Sequence, residues 1–178
     1  MKIILIGYMG SGKTYIGKIL SSLTNLRFYD LDELIENYYK ITINKIFFLY
    51  GEKFFRKIER QYLNYFLFKN YFNSYILSVG GGTPCFYDNI NLMNFFCKTI
   101  YLNTDLYILH NRLLLDNNNR PIINNVVTNN LFKFIDLHIR KRNLFYNLSK
   151  YKIHTKNLHC LEIIDYIKKH LKLNANKK

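Results

Sequence analysis

A chain of 178 residues, 49% of them hydrophobic, has room for one domain with one substantial core, and it contains no apolar run approaching the ~20 residues that cross a bilayer. The formal charge of +14 would ordinarily raise nucleic-acid binding, but the 26 Lys and Arg are scattered rather than gathered into a stripe. The chain is also crowded with Asn, Lys, Ile, Tyr and Phe, a bias that AT-rich codons produce, so the expectation is no nucleic acid, no membrane, and a field that favours small anions.

The opening KIILI over residues 2–6 follows one lysine and runs straight into glycines. It is too short for the core of a secretion signal and reads as a buried parallel strand. Ile16, Ile19, Leu20 and Leu23, at i, i+3, i+4 and i+7, predict a helix over 13–24. A short strand around Arg27–Tyr29 ends in acidic residues, and two or three helices fill 31–69, with Gly51 breaking them at a corner. SYILSV over 74–79 is the next strand and runs into Gly80, Gly81 and Gly82. Asp88 stands where it caps a helix over 89–96. A strand over 98–102 and a helix over 105–115 follow. DNNNRPIINN, residues 116–125, is polar, broken by Pro121, and reads as a mobile surface loop. A helix over 129–149, a strand over 151–155, a helix over 159–172 and a frayed tail complete the chain. Strands alternating with helices imply a parallel sheet covered on both faces, with ligands beyond the carboxyl ends of its strands. No repeat or linker divides residues 1–178, which read as a single domain. Cys85, Cys97 and Cys160 form no CxxC pair and fit free thiols in a reducing cytoplasm.

Residues 7–14, GYMGSGKT, match G-x-x-x-x-G-K-[ST] in full, with an apolar strand before and an amphipathic helix after. Glycines let the backbone curl so that successive N–H groups meet phosphate oxygens, and the helix adds its free amides and dipole. Lys13 reaches β and γ phosphates, and Thr14 offers a hydroxyl to magnesium. The loop binds ATP or GTP and does not choose between them.

Asp30 and Asp32 follow the second strand. Two carboxylates there suit holding magnesium through water and accepting a hydrogen bond from an attacking hydroxyl; capping of the helix at Leu31–Tyr39 is the other reading. Glu33 and Glu36 read as solvated. Arg56, flanked by Phe54, Phe55 and Ile58, either buries its stem and pairs with Glu59 or projects its fork to a substrate carboxylate. Gly80–Gly82 either expose amides to a substrate or form a plain turn. Arg120 in the polar loop is either solvated or closes over a transferring phosphate. Arg140 and Arg142 lie on a later helix and read as surface charge, except that Arg142 precedes Leu144, Phe145 and Tyr146, which read as buried.

The segments ILIGYMGSGKTYIGKIL, FYDLDELI, GEKFFRKIE, ILSVGGGTP, TIYLNTD, NNRPII and RKRNLFY together resemble shikimate kinase, from residue 2 to about 170. The resemblance implies a three-layer α/β P-loop kinase fold with a five-stranded parallel sheet in order 2-3-1-4-5. It implies a substrate-binding helical region at about 31–62 and a lid at about 112–125. The reaction implied is transfer of the ATP γ-phosphate to the 3-hydroxyl of shikimate, with ATP and Mg2+ required, by a cytoplasmic monomer.

By the same resemblance, Gly10, Ser11, Gly12, Lys13, Thr14 and Tyr15 bind nucleotide. Thr14 binds magnesium directly and Asp30 supports it through water. Lys13, Asp32 and Arg120 are the catalytic set, with Asp32 the candidate base. Arg56 and Arg142 clamp the shikimate carboxylate, and Gly80, Gly81 and Gly82 contact the ring. Arg112 is the nearest candidate for stacking on adenine.

Departures from the family pattern are Tyr15 where a second hydroxyl residue is common, Leu144 where a proline is usual, a spacing of Arg112 to Arg120 one residue off, and the Asn-rich lid. The alternatives are another small P-loop kinase acting on a sugar acid, a GTPase-like switch, for which no base-reading Asn/Thr-Lys-x-Asp is present, and a non-catalytic homologue.

Overall fold

The central strand explains the layering. In a computed structural model that describes residues 1–115, 130–156 and 158–173, β1 (Lys2–Ile6) has neighbours on both sides. Its side chains sort by parity, as strand geometry requires. Ile3 and Leu5 enter one apolar cluster, with Ile16, Leu20, Ile164 and Ile167; Ile4 and Ile6 enter the other, with Leu31, Ile35, Leu63, Met93 and Ile135. A strand apolar on both faces is what a doubly covered parallel sheet needs.

The remaining elements are α1 (Lys13–Ser22), β2 (Arg27–Asp30), α2 (Leu31–Tyr39), α3 (Ile43–Lys69), β3 (Tyr75–Ser78), α4 (Asn89–Phe96), β4 (Lys98–Asn103), α5 (Leu106–Leu115), α6 (Leu131–Tyr146), β5 (Tyr151–His154) and α7 (Cys160–Leu171). A 3-10 turn, Thr83–Cys85, joins β3 towards α4. The sheet order is β2-β3-β1-β4-β5 and each neighbouring pair is parallel, as the resemblance implies. Register places Asp30 opposite Ser78 and Leu5 opposite Ser78, so the carboxyl ends of β1, β2 and β3 finish level. That edge carries the glycine-rich loop, the acidic pair and the triple glycine.

Three expectations are revised in detail. The expected corner at Gly51 is a kink inside α3, where φ is 76° and ψ 172°. Asp88 precedes α4 without a side-chain cap bond and instead pairs with Arg60 at 2.6 Å. Glu36 is not merely solvated: its Oε1 accepts from the Ile43 amide at 2.8 Å and ties α2 to the start of α3. No described helix is long and apolar enough to cross a membrane.

Candidate active site

The loop between β1 and α1 curls through left-handed backbone at Gly10 (φ 81°) and Gly12 (φ 88°), conformations in which a Cβ is strained. The Lys13 ammonium is held against the loop, donating to the carbonyls of Gly7 at 2.9 Å and Tyr8 at 3.0 Å. Arg112, at the end of α5, reaches back over the loop and donates to Gly10 O at 2.9 Å. These residues, with Ser11, Thr14 and Tyr15, line one cleft of about 760 Å3, a volume suited to a small ligand.

Asp30 realises the capping reading and also meets the phosphate loop. Its Oδ1 accepts from the Asp32 amide at 3.1 Å at the start of α2, and its Oδ2 accepts from Thr14 Oγ1 at 2.8 Å. Ser78 Oγ lies 3.5 Å from the same Thr14 hydroxyl. The group is all oxygen, the donor set that a hard divalent cation takes. Two protein oxygens beside a phosphate loop fit magnesium, which keeps waters and phosphate oxygens for the rest of its shell.

Across the cleft, the turn after β3 gathers the remaining candidates. A Cβ on Gly80 would lie 3.2 Å from both Asp32 Oδ1 and Glu59 Oε1; one on Gly81, 3.3 Å from Arg142 Nη1; one on Gly82, 2.3 Å from Arg56 Nη2. The three glycine carbonyls are used internally, accepting from Thr83 N at 3.0 Å, Tyr146 Oη at 2.5 Å and Cys85 N at 2.8 Å. Whatever this turn offers a ligand is therefore its amides.

Arg56, 4% exposed, realises the ion-pairing reading, with Glu52 as a second carboxylate partner on its own helix. Its Nη1 donates to Glu59 Oε2 at 2.9 Å, and its Nε and Nη2 donate to Glu52 Oε1 at 3.1 and 3.0 Å. Glu59 is fully buried and also accepts from Thr83 Oγ1 at 2.6 Å. Asp32 is partly exposed as a residue, yet its Oδ1 is sealed from solvent and lacks a hydrogen-bond partner. Burial first, then the Glu59 and Asp30 charges, push its carboxyl up to about 7, against the pull of Lys13 and Arg56.

Arg142 is 5% exposed, and its Nη1 is likewise buried without a partner. Leu144 leaves α6 unbroken and, against the expectation of burial, is 74% exposed, because it lies on the solvent side of the helix while Tyr146 faces the core. Arg140 is a surface charge paired with Asp136.

The structure thus brings Gly10, Ser11, Gly12, Lys13, Thr14, Tyr15, Asp30, Asp32, Gly80, Gly81 and Arg112 onto one cleft. Arg56, Gly82 and Arg142 are packed against the same glycine turn beside it. Arg120 and most of the expected lid lie outside the described residues. Sequence reasoning passed over Glu59 as more than a helix neighbour, and over Tyr8, His138, Ser78 and Thr83. Only the Arg56–Glu59 spacing carried a signal; the others meet through tertiary packing.

The family model for shikimate kinase matches residues 9–172. A shikimate kinase of Flavobacterium psychrophilum is 41% identical over 172 residues, covering 94% of this chain and 97% of that protein. One from Azobacteroides pseudotrichonymphae is 40% identical, covering 92% and 95%. Among solved structures, Bacteroides thetaiotaomicron shikimate kinase superposes with a TM-score of 0.89 at 34% identity, covering 97% and 99% of the two chains. An Acinetobacter baumannii shikimate kinase in complex with shikimate gives a TM-score of 0.85 at 28% identity, covering 96% and 93%. Matched by the family model over residues 9–172 and by relatives along nearly its whole length, this chain belongs to the shikimate kinase family.

Proposed function

We infer that the protein transfers the γ-phosphate of ATP to the 3-hydroxyl of shikimate, releasing ADP. One observation carries the assignment of the acceptor side. Asp32 Oδ1 and Arg142 Nη1, an acceptor and a donor, are both buried without partners and both lie against the triple-glycine turn. A buried polar group without a partner costs about 1–3 kcal/mol, so such a pair is expected where a ligand completes it. A small molecule bearing a hydroxyl and a carboxylate supplies the two complements.

The roles follow from chemistry. Lys13 exchanges loop carbonyls for phosphoryl oxygens and stabilises charge that spreads over them during transfer. Thr14 and Asp30 would hold magnesium, which would neutralise charge on the nucleotide phosphates. Asp32 accepts the hydrogen bond of the attacking hydroxyl, and a carboxyl pushed up to about 7 is well matched to taking its proton near neutral pH. Arg142 receives the carboxylate, and Arg56 shares it while Glu52 and Glu59 fix its plane. Gly81 and Gly82 offer amides to the ring side. Tyr15 borders the nucleotide, and Arg112 flanks its base at the loop mouth. Arg120 joins the transferring phosphate on family resemblance alone. A cytoplasmic monomer is the setting in which we place the reaction.

The test is coupled ADP release from ATP and Mg2+, with and without shikimate, followed by identification of the product. Shikimate-dependent ADP with one phosphate on the 3-hydroxyl, lost in Asp32→Asn, is the expected result. Folded protein that binds nucleotide without shikimate-dependent turnover would overturn the assignment.

A further inference from the structure

Both arginines beside the glycine turn meet aromatic rings, Arg56 over Phe86 at 4.5 Å and Arg142 over Tyr8, but they differ in their ionic partners. Arg56 is fixed by two carboxylates, which occupy three of its N–H groups. Among the described residues no acidic side chain pairs with Arg142. Its guanidinium lies over the ring of Tyr8, with Cζ 5.4 Å from the centroid. A π-face attracts a cation without using its hydrogen-bond donors or cancelling its charge. That contact, with the Tyr146 hydroxyl that also meets the guanidinium, orders Arg142 while Nη1 stays without a partner.

Tyr8 is itself anchored. It occupies a position that the phosphate-loop pattern leaves open, yet it is 2% exposed. Its hydroxyl lies 2.9 Å from His138 Nδ1, and the two rings meet edge to face at 5.6 Å and 88°. His138 is on α6, one helical turn before Arg142, so the tyrosine is held by the same helix face that carries the arginine. Burial and then the charge of Arg142 lower the His138 ring to about 4, with Lys141 and Arg56 adding to the effect and Glu52 opposing it. The imidazole is therefore neutral near pH 7 and adds no second cation to the cluster. Through its carbonyl, Tyr8 also accepts from Lys13.

We propose that Tyr8, anchored by His138, is a positioning residue that holds Arg142 at the acceptor's carboxylate, an inference that rests on the acceptor reading given above. It acts through Arg142 and does not touch the reacting atoms.

The test is steady-state kinetics on the full chain, varying shikimate and ATP separately, with calorimetric binding of shikimate as a second readout. Tyr8→Leu removes the π-face and is expected to raise KM for shikimate about threefold to thirtyfold, with KM for ATP changed by less than about twofold. Tyr8→Phe keeps the face and is expected to recover most of that loss. In an Arg142→Met background, Tyr8→Leu is expected to add nothing further, because the group it positions is gone. Should Tyr8→Leu fail to fold, His138→Leu carries the same test and the same expected split. Equal shifts in both KM values, or a full additional loss in the Arg142→Met background, would overturn the proposal. Wild-type protein without shikimate-dependent turnover would instead remove the acceptor reading on which it stands.

Discussion

Gly82→Ala isolates the contact between the glycine turn and Arg56. Backbone conformation is not at stake, because Gly82 has φ −89° and ψ −23°, which alanine adopts freely. The added Cβ would lie 2.3 Å from Nη2, 2.6 Å from Cζ and 2.8 Å from Nη1 of Arg56. Ordinary contact requires the guanidinium to retreat by about 1 Å. An exposed arginine would swing aside without loss, but this one is 4% exposed, with Glu52 and Glu59 fixing it at 2.9–3.0 Å. Retreat stretches these charge-assisted bonds beyond useful range. The expected loss of stability is about 2–3 kcal/mol, or about 5–10 °C in Tm for a domain of this size. A displacement of this size at a substrate-positioning group is expected to lower kcat/KM for shikimate by about 100-fold. KM for ATP is expected to hold, since Gly82 does not line the nucleotide cleft. Urea denaturation and two-substrate kinetics measure both effects. An unchanged Tm with an unchanged KM for shikimate would show that Arg56 yields freely and that the reasoning is wrong.

Three further outcomes follow from the same contacts. Gly51→Ala is expected to cost about 1–3 kcal/mol in urea denaturation: no atom lies within 4 Å of the added Cβ, and the loss comes from a backbone region that suits glycine alone. Glu59→Ala leaves buried Arg56 with only the partly exposed Glu52 and takes the acceptor from Thr83 Oγ1; a loss of about 3 kcal/mol is expected, with Glu59→Gln intermediate in thermal melts. For His138, the unfolded ring protonates near 6.5 and the folded ring near about 4, so the unfolded state takes up the proton first. Its contribution is complete above about 6.5 and is lost as pH falls towards about 4; His138→Gln is expected to flatten that part of the stability profile in urea midpoints measured across the window.

Local pattern made most of the scaffold legible. KIILI, the i, i+3, i+4 run after Lys13 and SYILSV each announced their element, because a doubly covered parallel sheet writes itself in continuous apolar runs. The loop over Gly7–Thr14 was legible for the same reason: its chemistry is local. What stayed hidden depends on distance along the chain. Tyr8 and His138 are 130 residues apart, and no spacing rule joins them. Arg56 was open between ion pairing and a free fork because both uses are compatible; only burial of Glu59 and the approach of Gly82 reveal how firmly it is held. Glu36 read as solvent charge because its partner is an amide seven residues on, at the start of another helix.

The order of the sheet also bears on how the chain is made. β1 leaves the ribosome first, but its two neighbours begin at Tyr75 and Lys98. This apolar strand therefore waits until Tyr75 for its first partner and until Lys98 for its second. Such delayed pairing is intrinsically slow and leaves an apolar segment open to wrong partners during synthesis. The phosphate loop hangs from the end of that strand. Nucleotide binding is accordingly expected only after Asn103 has been made, when β3 and β4 can both flank β1.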